Sequence, residues 1–229
     1  MSKRTLLALP AGLLFLCLAA ALLTLPDSPD GLAEVSVEAL SRSGVSNPVT
    51  AVLLNYRGYD TLLEVGVLLL AVIGVWSLRE CDVQPVDAPE RVLLLPLLRL
   101  VLPVLILAGA YFLWIGSARP GGAFQGGAMV GGALVMAISA GRLPRVLEHQ
   151  EMLRAGLAMG LAVFIAVAAG SAIANGEILR YPLSSAGLWI LVIEAAALIS
   201  IGMTLGALFS GGRPPAGTSE LLDRETDHD

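Results

Sequence analysis

The chain has 229 residues, of which 56% are hydrophobic and 14% charged, with a formal net charge of −5. A soluble domain carries roughly 25% charged residues, so this chain lacks the polar surface that would keep a domain of its size in water. The charge balance is acidic and no basic cluster occurs, which argues against a nucleic-acid partner, and two cysteines give neither a disulfide framework nor a metal signature.

The apolar residues lie in long uninterrupted runs, the pattern of membrane spans. Because backbone groups in lipid must be satisfied internally, the runs are expected as helices. The first covers residues 6–25 and follows Lys3 and Arg4. It has two readings, a retained helix or a cleaved signal peptide. At about 20 residues it exceeds the 7–15 of a signal core, which favours the retained helix.

The segment 26–59 is too long for a plain connector. Leu32, Val35 and Leu40 set against Glu34 and Glu38 predict a short amphipathic helix, and Asn47-Pro48 reads as the cap and first-turn proline of a second one. Both are expected along the outer membrane surface, with Ser43-Gly44 and Gly58 as joints. The second span is 61–78. The third, 100–115, is preceded by an apolar lead-in from Val92 that holds Pro96 and Arg99; Pro103 lies within the span itself. The fourth, fifth and sixth are 122–140, 155–174 and 188–209, and beyond Gly211 the chain is polar, acidic and expected to be disordered. The fold class is therefore all-α integral membrane, with about six transmembrane helices.

Placing the N-terminus inside puts Lys3, Arg4, Arg79, Arg91, Arg142, Arg145, Arg154, Arg213 and Arg224 on the cytoplasmic side. Only Arg42, Arg57, Arg119 and Arg180 then face outward, so both termini are expected in the cytoplasm.

Three polar features stand out against this background. Arg57, Asp60 and Glu64 are spaced i, i+3, i+7 and share a face if the second helix extends back to Arg57. Asp60 also reads as a helix cap and Arg57 as an interfacial anchor. Glu64 sits about one turn inside its apolar run, where an ionisable group is costly and usually functional. Glu194 lies seven residues into the sixth run, roughly 10 Å below its start at 1.5 Å per residue. It is a functional candidate on the same ground, with a structural hydrogen bond to a neighbour as the alternative.

The third feature is Pro120-Gly121-Gly122-Ala123-Phe124-Gln125-Gly126-Gly127. Its glycines at four-residue spacing let helices approach closely; a broken helix whose free backbone and Gln125 face a hydrated cavity is the alternative. Arg99 either snorkels to the interface or pairs with a buried acid. No nucleophile–base arrangement and no metal-ligand cluster is seen, so neither an enzyme nor a cofactor is expected.

Two stretches resemble known families. The run from Val49 to Glu64, VTAVLLNYRGYDTLLE, resembles the signature of the small E subunit of membrane-bound hydrogenases, a segment that also occurs near the C-terminus of the large A subunit of Mrp-type antiporters. The motif from Pro120 to Gly127, with the helices between about 92 and 209, is similar to the MnhB/MrpB subunit of those antiporters. The chain departs from the family pattern at Asn55, where Asp is common, at Leu63 and Ala123, where Gly is common, at Ser117, often His, and at Glu194, often Asp.

The resemblance implies a natural fusion: an E-like segment in 1–90, an MnhB-like four-helix domain in 91–211 and an acidic tail in 212–229. It further implies a subunit of a prokaryotic cytoplasmic-membrane complex that exchanges Na⁺ or another monovalent cation for H⁺. Its partners would be the other subunits and the bilayer. Asp60, Glu64 and Glu194 would be ion-facing groups, supported by Arg57 and Arg99. The same module in a membrane-bound hydrogenase or related respiratory complex is the rival expectation, and a purely structural scaffold is another.

Overall fold

The computed structural model describes residues 3–24, 32–78, 91–142 and 144–211. The acidic tail after Gly211, Cys81 and the rest of 79–90 lie outside the described residues. The described chain is helical, with no strand: α1 (Lys3–Leu23), α2 (Leu32–Ala39), α3 (Pro48–Ala51), α4 (Gly58–Leu78), α5 (Arg91–Ile115), α6 (Ala123–Ser139), α7 (Arg145–Glu148), α8 (Gln150–Asn175) and α9 (Ala186–Phe209). Of these, α4, α5, α8 and α9 are long and apolar enough to cross a membrane. The apolar parts of two further helices, Gly12–Leu23 and Ala123–Ser139, are shorter.

The chain forms two compact units, Met1–Val35 and Ser36–Asp229. In the first, α1 is hydrophobic all round, with Leu13, Leu14, Phe15, Leu16 and Leu18 exposed. Cys17 is free and exposed on it.

In the second unit α9 is the central post. Of its apolar window 61% is buried inside the chain, against 6% for α5. It packs most closely against α6 and α8, and also against α4 and α5. Small side chains allow this: Ser200 comes close enough to α8 to donate its hydroxyl to the Leu157 carbonyl at 2.6 Å. One cluster joins Phe164, Ile190 and Ile193 to Leu54 and Tyr181; a second joins Val72, Leu147, Leu153, Leu157 and Met203; a third joins Val65, Ala123, Leu198 and Ile201.

The predicted lead-in to the third span is continuous with it. The helix α5 runs unbroken from Arg91 through Pro96 and Pro103 to Ile115. Asn47 caps α3 with its side chain accepting from the Val49 N–H at 3.1 Å, and Pro48 takes the first position. The chain then passes through a five-residue π-helical turn, Val52–Tyr56, before α4 begins at Gly58. Asp60 is therefore the third residue of α4 and not its cap, and Arg57 lies outside the helix.

Candidate functional site

The turn between α5 and α6 is folded back on the end of α5, with the Gly122 N–H donating to the Phe112 carbonyl at 2.8 Å. Donors from residues 46–50 hold it from the other side. The Asn47 side-chain amide donates to the carbonyls of Gly116 at 2.9 Å and Arg119 at 2.8 Å, and to Thr50 Oγ1 at 3.0 Å. Thr50 adds its own hydroxyl to Gly116 O at 2.6 Å. The Ser46 and Asn47 N–H groups both donate to Ser117 O, at 3.1 and 3.0 Å. Asn47 and Thr50 are each 4% exposed, so these bonds are shielded from competing solvent or headgroups.

Glu194, on α9, sits directly beneath this turn and is 5% exposed. Its carboxylate accepts a hydrogen bond from the Ala123 backbone N–H, the first residue of α6. A carboxylate at a helix N-terminus meets the positive end of the backbone dipole and one of the four N–H groups left free there. Gly122 makes the approach possible. A Cβ on it would lie 2.5 Å from Glu194 Oε1, and its φ of 105° and ψ of −166° fall in a region that only glycine occupies comfortably. Beside the carboxylate is a cavity of about 630 Å³, lined by Gly44, Val45 and Ser46, by Trp114, Ile115, Ser117 and Ala118, and by Gly187, Ile190, Leu191 and Glu194. Among the described residues Glu194 is the sole acidic or basic residue on its wall.

The other candidates are placed elsewhere. Glu64 is exposed on α4 among Leu63, 67% exposed, and Val67, 62% exposed. Arg57 and Asp60 form an ion pair. Arg99 is exposed on α5. The chain itself thus does not bring Asp60, Glu64 and Glu194 together. Within the glycine motif, Pro120 and Gln125 are exposed and Phe124 is half-buried. Gly121 faces the Phe112 carbonyl, Gly126 lies between Leu198 and the Gly109 carbonyl, and Gly127 lies against Ile201. The clamp by Asn47 and Thr50 went beyond the sequence expectation of a simple helix cap; the Asn-Pro-x-Thr spacing was its available signal. Among the described residues no group of three or more His, Cys, Asp or Glu side chains is placed to hold a metal.

Two family models match. The "domain related to MnhB subunit of Na+/H+ antiporter" matches residues 94–212, and the family of the MBH E subunit matches residues 2–87. The asparagine clamp therefore comes from one matched segment and the turn it holds from the other. The fold resembles a chain in the structure of the Mrp complex from Dietzia sp. DQ12-45-1b, with a TM-score of 0.68 and 21% identity over 95% of this chain. This chain spans only 27% of that one. It also resembles a chain of the membrane-bound sulfane sulfur reductase, an archaeal respiratory membrane complex. There the TM-score is 0.69 and the identity 25%, covering 92% of this chain and 98% of that one. No curated protein matches. With the MnhB-related model covering more than half of its length, the chain belongs to the family of domains related to the MnhB subunit of Na+/H+ antiporters.

Proposed function

We propose that this chain is a multi-pass membrane subunit of a multi-subunit monovalent cation/proton antiporter, and that it frames part of the ion route. In this reading about six helices cross the bilayer, both termini face the cytoplasm, and α2 and α3 lie along the outer surface. The segment 1–90 is the E-like part, 91–211 the MnhB-like part and 212–229 an acidic tail. The observation that carries the reading is a carboxylate, Glu194, 5% exposed inside an apolar bundle and bordering a cavity of about 630 Å³. An acid so placed is costly and is by default a functional candidate. Glu64, exposed on α4, and the half-buried Asp60 are the groups through which a neighbouring subunit would continue the route, with Arg57 and Arg99 in support.

A second reading makes the chain the corresponding subunit of a redox-driven membrane complex. It is favoured by the likeness to the sulfane sulfur reductase chain, nearly all of which this chain covers. Purification from membranes in mild detergent, with identification of the subunits that accompany the chain, separates the two. Antiporter-like subunits with Na⁺-driven proton flux in vesicles support the first. Co-purifying redox subunits support the second, and a chain that purifies alone contradicts both.

A further inference from the structure

We propose that the chamber at Glu194 is a proton-exchange site and not a coordination site for Na⁺. This rests on the exchanger reading above and decides which of the two ions meets this carboxylate. A metal cation leaving water needs a shell of oxygen ligands to replace its hydration. The turn beside Glu194 offers backbone carbonyls, and most of them are engaged. Phe112 O accepts from Gly122 N–H at 2.8 Å, Leu113 O from Gly116 N–H at 3.3 Å, and Ile115 O from the Ala118 and Arg119 N–H groups, both at 2.9 Å. Gly116 O takes Asn47 and Thr50, Ser117 O takes the Ser46 and Asn47 N–H groups, and Arg119 O takes Asn47 again. The donors that fix the turn therefore already occupy most of the oxygens it could offer a cation.

What faces the carboxylate is a donor, the Ala123 N–H, at the positive end of α6. That end attracts an anion and repels a metal cation. Among the described residues no second carboxylate lines the cavity to make up the difference. On the packed elements, Glu64 on α4, Arg99 and Tyr111 on α5, Glu151 and Arg154 on α8 and Arg119 in the turn are all exposed. Asp60 is half-buried and paired with Arg57, and α6 carries no charged residue. A proton needs no ligand shell, only water and an acceptor, and the cavity has room for several waters. The step is a simple exchange: an O–H bond forms on Glu194 as one breaks on hydronium, leaving water, and the reverse transfer restores the carboxylate.

The test is infrared difference spectroscopy of the purified whole complex in lipid, titrated with pH at several Na⁺ concentrations and constant ionic strength. A protonated-carboxyl band should titrate in the wild type, vanish in Glu194→Gln and change frequency in Glu194→Asp. The pH at which it is half lost should not move with Na⁺. A half-point falling by about one pH unit per tenfold rise in Na⁺, the mark of direct competition, would overturn the proposal. So would a band set unchanged by both substitutions. Sodium-driven proton flux in the same wild-type preparation judges the exchanger reading on its own: a titrating, Na⁺-indifferent band without flux sinks that reading and keeps the proton assignment.

Discussion

The carboxylate of Glu194 occupies the space beside Gly122 in which any other residue would carry its side chain, with 2.5 Å between Oε1 and the position of a Cβ. The two residues are 72 positions apart in sequence and specify one site together. Replacing Gly122 by Ala meets two penalties, a clash with the carboxylate and a backbone conformation that costs a non-glycine residue of order 1–3 kcal/mol. Gly122→Ala should therefore lower the thermal unfolding midpoint of the purified complex and impair ion exchange together. An unchanged midpoint with unchanged exchange would show that the carboxylate is free to move aside.

Asn47 works mainly through its amide donors. Asn47→Ala removes a helix cap and strips a donor from two carbonyls, a loss of about 2–4 kcal/mol. Asn47→Asp keeps the acceptor for the Val49 N–H but presents oxygen to the Gly116 and Arg119 carbonyls. The aspartate variant should thus be no better than alanine in thermal unfolding. Rescue by aspartate would mean that capping α3 is all Asn47 does.

Helix packing separates two glycines of α6. A Cβ on Gly126 would meet Leu198 and stand 2.8 Å from the Gly109 carbonyl, whereas one on Gly132 meets nothing within 4 Å. Gly126→Ala should cost about 1–3 kcal/mol by overpacking. Gly132→Ala should be neutral or gain roughly 0.5–1 kcal/mol from the better helix former. Unfolding midpoints of the two variants check the contrast, and equal effects would contradict the packing described.

Tyr181, in the turn before α9, buries its hydroxyl without a hydrogen-bond partner among the described residues. Burial raises its ionisation well above the ordinary value of 10.0. The folded chain then keeps a proton that the unfolded chain gives up, so stability falls as pH rises past about 10. Tyr181→Phe should be neutral or stabilising by about 1 kcal/mol near neutral pH and should flatten that alkaline decline. Denaturation at pH 8 and pH 11 measures both effects; a clear loss of stability at pH 8 would show that the hydroxyl has a partner.

Depth was legible in the sequence, but direction was not. The apolar runs gave the helices, Asn47-Pro48 gave the start of α3, and the position of Glu194 within its run marked it as costly. Glu64 was marked on the same ground, yet the structure turns it outward. A helix apolar all round, like α4, holds no information about which side faces its neighbours. The partner of Glu194 was hidden for a related reason. The N–H of Ala123 becomes available only where α6 begins, and that start is set by a turn clamped from residues 46–50. No spacing along the chain records such a through-space relation. The Pro-Gly-Gly run was visible as a motif, but the need for Gly122 became clear only once the carboxylate stood beside it.

The most direct measurement is cation-driven proton movement by the purified complex in sealed vesicles, comparing the wild type with Glu194→Gln and Glu194→Asp at equal subunit content. The account predicts that the glutamine variant assembles and loses exchange by at least about tenfold, as expected when a functional membrane acid is neutralised, while aspartate retains most of it. Full exchange by an assembled Glu194→Gln complex would contradict it.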